Sequence, residues 1–233
     1  MNEKDKTLIR IGLTENHPCS YLKDQQERVA VIMDEKLHTN AGYELLMANG
    51  FRRSGATIYK PQCDECQACQ SLRVNIAGYS PSKSHKRLIS KAGDIEWEMK
   101  DEMDENWFEL YERYINQRHS SGSMFPAKRK EFSEFSKNQW LNTKYLHVYQ
   151  DQKLLAIAVT DVMSDCSSAF YTFFDPDSEI SLGTLCVLLQ IAHCKQSGKQ
   201  WLYLGYQIDD CAAMNYKVRF QPHQKLVNKQ WRG

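Results

Sequence analysis

The runs KYLHVY (144–149), LLAIAVTDVM (154–163), AFYTFF (169–174), LGTLCVLLQIAHCKQ (182–196) and WLYLG (201–205) decide the architecture of this chain. The first three are rich in β-branched and aromatic residues. Asp151-Gln152-Lys153, between the first two, has turn chemistry, so hairpins are the natural connection. After the break at Asp175-Pro176-Asp177 the run Leu182–Gln196 reads as a helix, and Trp201–Gly205 is strand-like again. An antiparallel meander followed by a right-handed helical crossover is the pattern of an α/β layer.

Working outward, Trp107, Phe108, Leu110, Tyr111, Tyr114 and Ile115 recur at helical spacing behind the caps Asp101 and Asp104, which predicts an amphipathic helix to about Arg118. Phe132, Phe135 and Trp140 belong to a second helix, and Asp209–Tyr216 to a short last one. The first third reads as smaller mixed structure. Arg28–Met33 is a β-branched run, Gly42–Ala48 is helical with Gly50 as its stop, and Ala56–Tyr59 and Leu72–Ile76 are short strands. Tyr79–Arg87 combines turn residues with basic charge, too charged for a core, and the boundary between two modules, 1–92 and 93–233, falls just after it.

With 233 residues, 42% hydrophobic and 25% charged, the chain has an ordinary globular composition, which excludes disordered, collagenous and coiled-coil classes. The charged start Met1–Lys6 and the shortness of the apolar stretch 182–192 speak against a signal peptide or membrane span, so a cytoplasmic protein without membrane partners is expected. Thiols or metal ligands are then expected of the eight cysteines rather than disulfides.

A net charge of +1 conceals segregation. Gly50–Lys91 carries eight basic residues against two acidic (net +6), Asp94–Glu112 nine acidic against one basic (net −8), and Cys211–Gly233 five basic and none acidic. Such blocks are either solvated faces or a footprint for a phosphate-bearing partner; the interleaved Tyr59, Tyr79, Tyr216, Phe220 and Trp231 favour the partner.

Among local motifs, Ser181-Leu182-Gly183-Thr184 opens the strongest helix. It serves either as a simple cap or as an anion cradle, since a helix start exposes unpaired N–H groups and Gly183 admits a close approach. Cys63, Cys66 and Cys69 have the spacing of zinc or iron-sulfur ligands. Arg73 stands where a ferredoxin-type run would place its fourth cysteine, and Cys19 is the distant candidate. Metal ligation and free thiols both remain open for these four. Cys166, Cys186, Cys194 and Cys211 read as small buried hydrophobes. The seven histidines are scattered, and no catalytic triad, Walker loop, dinucleotide fingerprint or paired metal-binding histidine can be assembled.

The segments GFRRSG (50–55), YKPQCDECQAC (59–69), FDP (174–176), SLGT (181–184), YLGY (203–206) and MNYKVRFQP (214–222) together closely resemble the arginyl-tRNA–protein transferase family, over about residues 14–224. The short length and compact amino-terminal part look like its bacterial branch, the aspartate/glutamate leucyltransferases. The resemblance implies a smaller cysteine-bearing amino-terminal module followed by an acetyltransferase-like (GNAT-like) domain. It implies transfer of leucine from leucyl-tRNA to the α-amine of proteins beginning with Asp or Glu, which marks them for degradation. Through the family it also links Cys19, Cys63, Cys66 and Cys69 to an iron-sulfur cluster.

The chemistry needs little acid–base power. The donor is an activated ester, the acceptor α-amine has a pKa of about 7.7–8.0, and positioning supplies on the order of 7–11 kcal/mol. No cofactor is needed for it. An oxyanion is stabilised by a backbone N–H or by a tyrosine hydroxyl, for which Tyr206 and Tyr216 are the candidates. The acceptor carboxylate needs a fixed cation from Arg52, Arg53, Arg87, Lys217 or Arg219; the other bases hold the tRNA end. Ser181, Gly183 and Thr184 belong to the same binding set. Asp175, Asp209 and Asp210 leave arginine open as the donor, because an arginine pocket wants a buried acid and a leucine pocket only apolar walls. An acetyl-CoA-dependent N-acetyltransferase and a non-catalytic cysteine-rich RNA-binding module are the alternatives.

Overall fold

The computed structural model describes residues 8–233; the charged start Met1–Lys6 lies outside the described residues. A small sheet is built from β1 (Ile11–Leu13), β4 (Val29–Ile32), β5 (Arg52–Ser54) and β6 (Thr57–Pro61) in the order β1-β4-β6-β5, with a two-stranded ribbon β2 (His17–Pro18) and β3 (Gln26–Glu27) beside it. Helix α1 (Asn40–Ala48) starts at Thr39, whose hydroxyl accepts the Gly42 N–H, and stops at Gly50, where φ of +88° suits only a residue without Cβ.

The large sheet has eight strands: β7 (Gln70–Asn75), β8 (Glu96–Lys100), β9 (Thr143–Gln150), β10 (Lys153–Val162), β11 (Cys166–Phe174), β12 (Trp201–Gln207), β13 (His223–Val227) and β14 (Gln230–Arg232), in the order β14-β13-β7-β12-β11-β10-β9-β8. The meander β9-β10-β11 is antiparallel as expected, and α5 (Leu182–Gln196) carries the chain over to β12, which pairs parallel to β11. Side-chain alternation along β10 defines two layers. Ile157 and Val159 enter an aromatic cluster with α3 (Trp107–Arg118) and α4 (Arg129–Ser136), whereas Ala156 and Ala158 pack with Leu182, Leu185 and Cys186 of α5. The two alanines leave room for a helix that is apolar on most of its circumference.

Strand β7, which precedes residue 92, lies in the large sheet between β12 and β13. Leu72 and Val74 of that strand are wholly buried. The basic stretch expected to be a turn forms helix α2 (Lys83–Lys91), capped by the Ser82 hydroxyl on the His85 N–H; only His85 turns its side chain fully inward. The expected helix at 209–216 is a turn followed by a 3₁₀ segment, Asn215–Arg219. Strands β8, β13 and β14 are short and rich in charge: β8 alternates Glu96, Glu98 and Lys100 with Trp97 and Met99, which pack against the core, and β14 sets Trp231 on the cluster around α1. Among the described residues no helix is long and apolar enough to cross a membrane.

One ion pair ties the two sheets together. Arg53 of β5 donates from Nε and Nη2 to both carboxylate oxygens of Asp161 on β10, at 2.8 and 2.7 Å, and both side chains are fully buried. Thr143 donates to the same carboxylate, and the remaining guanidinium protons go to the Phe135 and Ser136 carbonyls at the end of α4 and to the Gly55 carbonyl. Removing one partner strands the other charge in the core, so Asp161→Asn should lower the unfolding free energy by about 3–5 kcal/mol in urea titration. A loss below about 1 kcal/mol would show that the pair does not hold the sheets together.

Candidate active site

The site originates in a parting of strands. β11 and β12 pair in parallel only from Cys166↔Trp201 to Ser168↔Tyr203. Beyond that point irregularities in both strands, between Val159 and Thr160 against β11 and between Tyr203 and Gly205 against β7, turn them away from each other. Gly205 sits at its bend with φ of +89°. The gap opens into a cavity of about 790 Å³ walled by Ser168–Thr172 on one side and Leu204–Tyr206 on the other.

Each wall has its own chemistry. Tyr114, Phe135, Phe170, Tyr171 and Phe174 form an aromatic side continuous with the cluster under α3 and α4. Arg53 lies 3.8 Å over Phe170, but Asp161 neutralises its charge. The opposite side carries Arg52 and Lys217, 6% and 4% exposed. Arg52 donates from Nη2 to Ser71 and rests over the rings of Tyr203 and Tyr206, while its Nε and Nη1 are buried without a hydrogen-bond partner. Lys217 donates to the Met214 carbonyl at 3.2 Å and sits 4.7 Å over the Tyr216 ring. Among the described residues neither cation has a carboxylate partner. Burial, and after it the charge of Arg52, brings the Lys217 ammonium down to about 8.

The third wall is the loop before α5 and its first turn, Ser178–Thr184. The Ser181 hydroxyl donates to Thr184 Oγ1 and caps no N–H, so it is not the simple cap that the sequence allowed. A Cβ at Gly183 would come within 3.3 Å of the Phe174 ring. Arg113 and Lys153 hold the buried Asp175 carboxylate at 2.8 and 2.9 Å, and Arg118 donates to the Pro176 carbonyl, so α3 braces this loop. Burial alone would raise the Asp175 carboxyl, but Lys153 and the Asp177 N–H hold it below the usual range.

Of the residues singled out from sequence, Arg52, Arg53, Ser181, Gly183, Thr184, Tyr206, Tyr216 and Lys217 meet in this cavity. Arg87 and Arg219 do not line it. The Tyr206 hydroxyl donates to the Gly50 carbonyl at 2.9 Å, so its proton is engaged in joining β12 to the end of α1. Tyr216 is the more open of the two. Tyr21, Phe135, Phe170 and Arg118 also line the cavity and carried no local signal for a site, since elements distant in sequence bring them there; Tyr59, read as an aromatic interleaved with basic charge, joins them. Asp175, Asp209 and Asp210 lie outside the lining, and the exposed Glu179 is its single carboxylate among the described residues.

Cys19, Cys63, Cys66 and Cys69 are half-buried in one neighbourhood: burial first, then Cys63, Cys19 and Cys66, push the Cys69 thiol up to about 12. Among the described residues no three His, Cys, Asp or Glu side chains are placed to hold a metal ion. Cys63 Sγ instead faces the Arg28 carbonyl, and Cys19 Sγ accepts the Tyr21 N–H. Cys211, expected as core, is half-exposed, while Cys166, Cys186 and Cys194 are buried as expected.

Two family models match the chain, "Arginine-tRNA-protein transferase, N terminus" over residues 17–87 and "Arginine-tRNA-protein transferase, C terminus" over residues 106–227. The chain belongs to the arginine-tRNA-protein transferase family. It is 63% identical over 226 residues to the aspartate/glutamate leucyltransferase of Vibrio parahaemolyticus, with 97% of each chain covered. Identity is 62% over 226 residues to that of Vibrio cholerae and 45% over 224 residues to that of Pseudoalteromonas atlantica. These relatives place it in the bacterial branch of the transferase family. Among solved structures, L-PGS from Bacillus licheniformis is similar with a TM-score of 0.48 at 6% identity, over 66% of this chain and 51% of that one.

The transferase keeps Lys217 buried at a cost. Its folded pKa of about 8 lies below the ordinary 10.5, so between these values the unfolded chain holds more protons and the unfolding free energy rises with pH. Lys217→Met should abolish that rise and, at pH 7, stabilise the protein by on the order of 1–3 kcal/mol in thermal or urea unfolding. A lower melting temperature for this variant would contradict the assignment of Lys217 as a charge buried at the expense of stability.

Proposed function

We propose that this protein transfers leucine from leucyl-tRNA to the α-amine of proteins whose first residue is Asp or Glu, with Arg52 and Lys217 holding the acceptor's side-chain carboxylate. The observation that carries this reading is the pair itself: two buried cations without a carboxylate partner among the described residues, at the end of a cavity large enough for an amino-acid ester and a peptide terminus. A carboxylate arriving between them would complete charge-assisted hydrogen bonds that Arg52 Nε and Nη1 leave unmade. The aromatic side, where Asp161 neutralises Arg53 and Arg118 is turned to the Pro176 carbonyl, suits the leucyl side chain. A lining whose single acid is the exposed Glu179 offers no buried partner for an arginyl one.

In the transfer the acceptor nitrogen attacks the ester carbonyl, an N–C bond forms, the C–O bond to the terminal ribose breaks, and the ribose oxygen takes up the proton lost by the amine. Like charge from Arg52 and Lys217 near the acceptor lowers its α-ammonium pKa and enlarges the neutral, nucleophilic fraction. The facing edges of β11 and β12, unpaired beyond Ser168 and Tyr203, supply backbone N–H groups for the oxyanion. Tyr216 is the tyrosine placed to assist, since the Tyr206 hydroxyl is engaged. In this reading the layer of β8–β12 with α5 is the acetyltransferase-like part, and the product terminus serves as a degradation signal.

The test is transfer of labelled amino acid from leucyl-tRNA and arginyl-tRNA to peptides that begin with Asp, Glu or Asn. Leucine should pass to Asp and Glu peptides. Arg52→Gln and Lys217→Met should each lower kcat/KM for Asp by about 30- to 5,000-fold, the equivalent of 2–5 kcal/mol for truncating a buried charge pair. Asn peptides should change far less. Equal loss on Asp and Asn would sever these residues from the carboxylate, and transfer of arginine alone would reverse the donor assignment.

The preference for Asp over Asn should fall as pH rises through about 8, where Lys217 loses its proton. In Lys217→Met the preference that remains should be flat across that range, which a pH series of kcat/KM would show. The uncapped first turn of α5 on the cavity favours one rival, an acetyl-CoA-dependent acetyltransferase; acetylation of the same peptides without tRNA would establish it.

A further inference from the structure

Three cations of α2 lie outside the cavity and join no ion pair among the described residues: Lys83, Lys86 and Arg87, all exposed. Their i, i+3, i+4 spacing sets them on one face of the helix. The other face is closed. Leu88 packs against the core under α5, and His85, 5% exposed, stacks on Phe220 at 5.0 Å and shares a 2.9 Å hydrogen bond with the Tyr79 hydroxyl. Phe220 follows the exposed Arg219, whose charge, after burial, holds the His85 imidazole below its ordinary value. Arg219 therefore stands beside α2, although some 130 residues separate them in sequence.

This face is joined to the cavity at both ends. The 3₁₀ segment Asn215–Arg219 places Lys217 and Tyr216 in the cavity and Arg219 outside it. At the last turn of α2, Lys91 Nζ donates to the carbonyl of Glu179 at 3.0 Å, and Glu179 lines the cavity. The basic surface thus abuts both the loop before α5 and the segment that carries the buried lysine. Ile89 is the one exposed large apolar side chain on α2, which leaves nothing to insert into a membrane.

We propose that the face formed by Lys83, Lys86, Arg87 and Arg219 is the docking surface for the acceptor stem of the donor tRNA. The inference rests on the aminoacyl-tRNA reading given above. Unopposed cations on a rigid helix match the phosphate backbone of a duplex and carry no base-reading chemistry, so they position the stem without selecting its sequence. The single-stranded 3′ end, which bears the ester, would continue from that stem over the adjoining rim into the cavity.

The test uses the full chain with Lys83→Gln and Lys86→Gln combined, and deacylated tRNA as the binding probe between 50 and 200 mM salt. The dissociation constant should rise about tenfold at 100 mM salt, and the plot of log affinity against log salt should become shallower by about 1 to 2. The KM for leucyl-tRNA should rise in parallel. The KM for an Asp-initiated peptide, and transfer from a leucyl-CCA trinucleotide that has no stem, should stay at wild-type values. The combination Lys83→Arg with Lys86→Arg should bind tRNA as the wild type does, which separates loss of charge from loss of fold.

An unchanged dissociation constant and salt slope would overturn the proposal. So would an equal loss with the trinucleotide donor, or unchanged tRNA binding with weakened binding of an acidic polypeptide. Because tRNA binding is read without transfer, a wild-type protein that binds tRNA through these lysines but transfers no leucine would sink the proposed activity and leave the docking surface standing.

Discussion

The buried pair between Arg53 and Asp161 is the contact on which the site depends. It fastens the small sheet to the large one through two short charge-assisted bonds, and its remaining protons lock the end of α4 to the same point. Successive side chains on a strand point in opposite directions, so pinning Arg53 into the interface of the two sheets sends its neighbour Arg52 the other way, toward Ser71, Tyr203 and Tyr206. Two adjacent arginines, alike in sequence, thus acquire opposite roles. One is neutralised and structural, and the other is left with unmade hydrogen bonds at the wall of a cavity.

That cavity exists because two parallel strands stop pairing. A continuous ladder between β11 and β12 would have been more stable locally, and the chain forgoes it by placing irregularities in both strands, with Gly205 at the bend. The opened edges are then stiffened from outside. Arg113, Lys153 and Arg118 brace the loop before α5, while Tyr206 ties β12 to the carbonyl of Gly50. Inside, Arg52 and Lys217 have no counter-ion among the described residues, an arrangement that a chain selected only for stability would neutralise or replace. A binding partner that carries the missing negative charge gives that cost its purpose.

The same separation of roles extends to the surface. Basic segments far apart in sequence are drawn together, Arg219 onto the flank of α2. The near-neutral total therefore conceals a local concentration of positive charge beside the cavity, to which a polyanion can be drawn.

The meander, the helix Leu182–Gln196 and the crossover strand were legible in the sequence because apolar periodicity and turn residues act over short spans. So was the family, through motifs with several fixed residues each. What escaped were β8, β13 and β14, short charged segments in which only a few side chains, Trp97, Met99 and Trp231 among them, reach a core assembled by distant elements, and α2, whose basic residues looked like a linker until His85 found its place on Phe220. Sequence alone also could not divide the cations. Arg52, Arg53, Arg87, Lys217 and Arg219 are equivalent as residue types, and only tertiary structure decided that Arg53 has a carboxylate, that Arg52 and Lys217 are buried in the cavity without one, and that Arg87 and Arg219 stand outside. The physical reason is that the sequence specifies which charges are present and the local preferences of the backbone. The energy of a charge depends on what surrounds it in space, and those surroundings come from strands and helices more than a hundred residues apart.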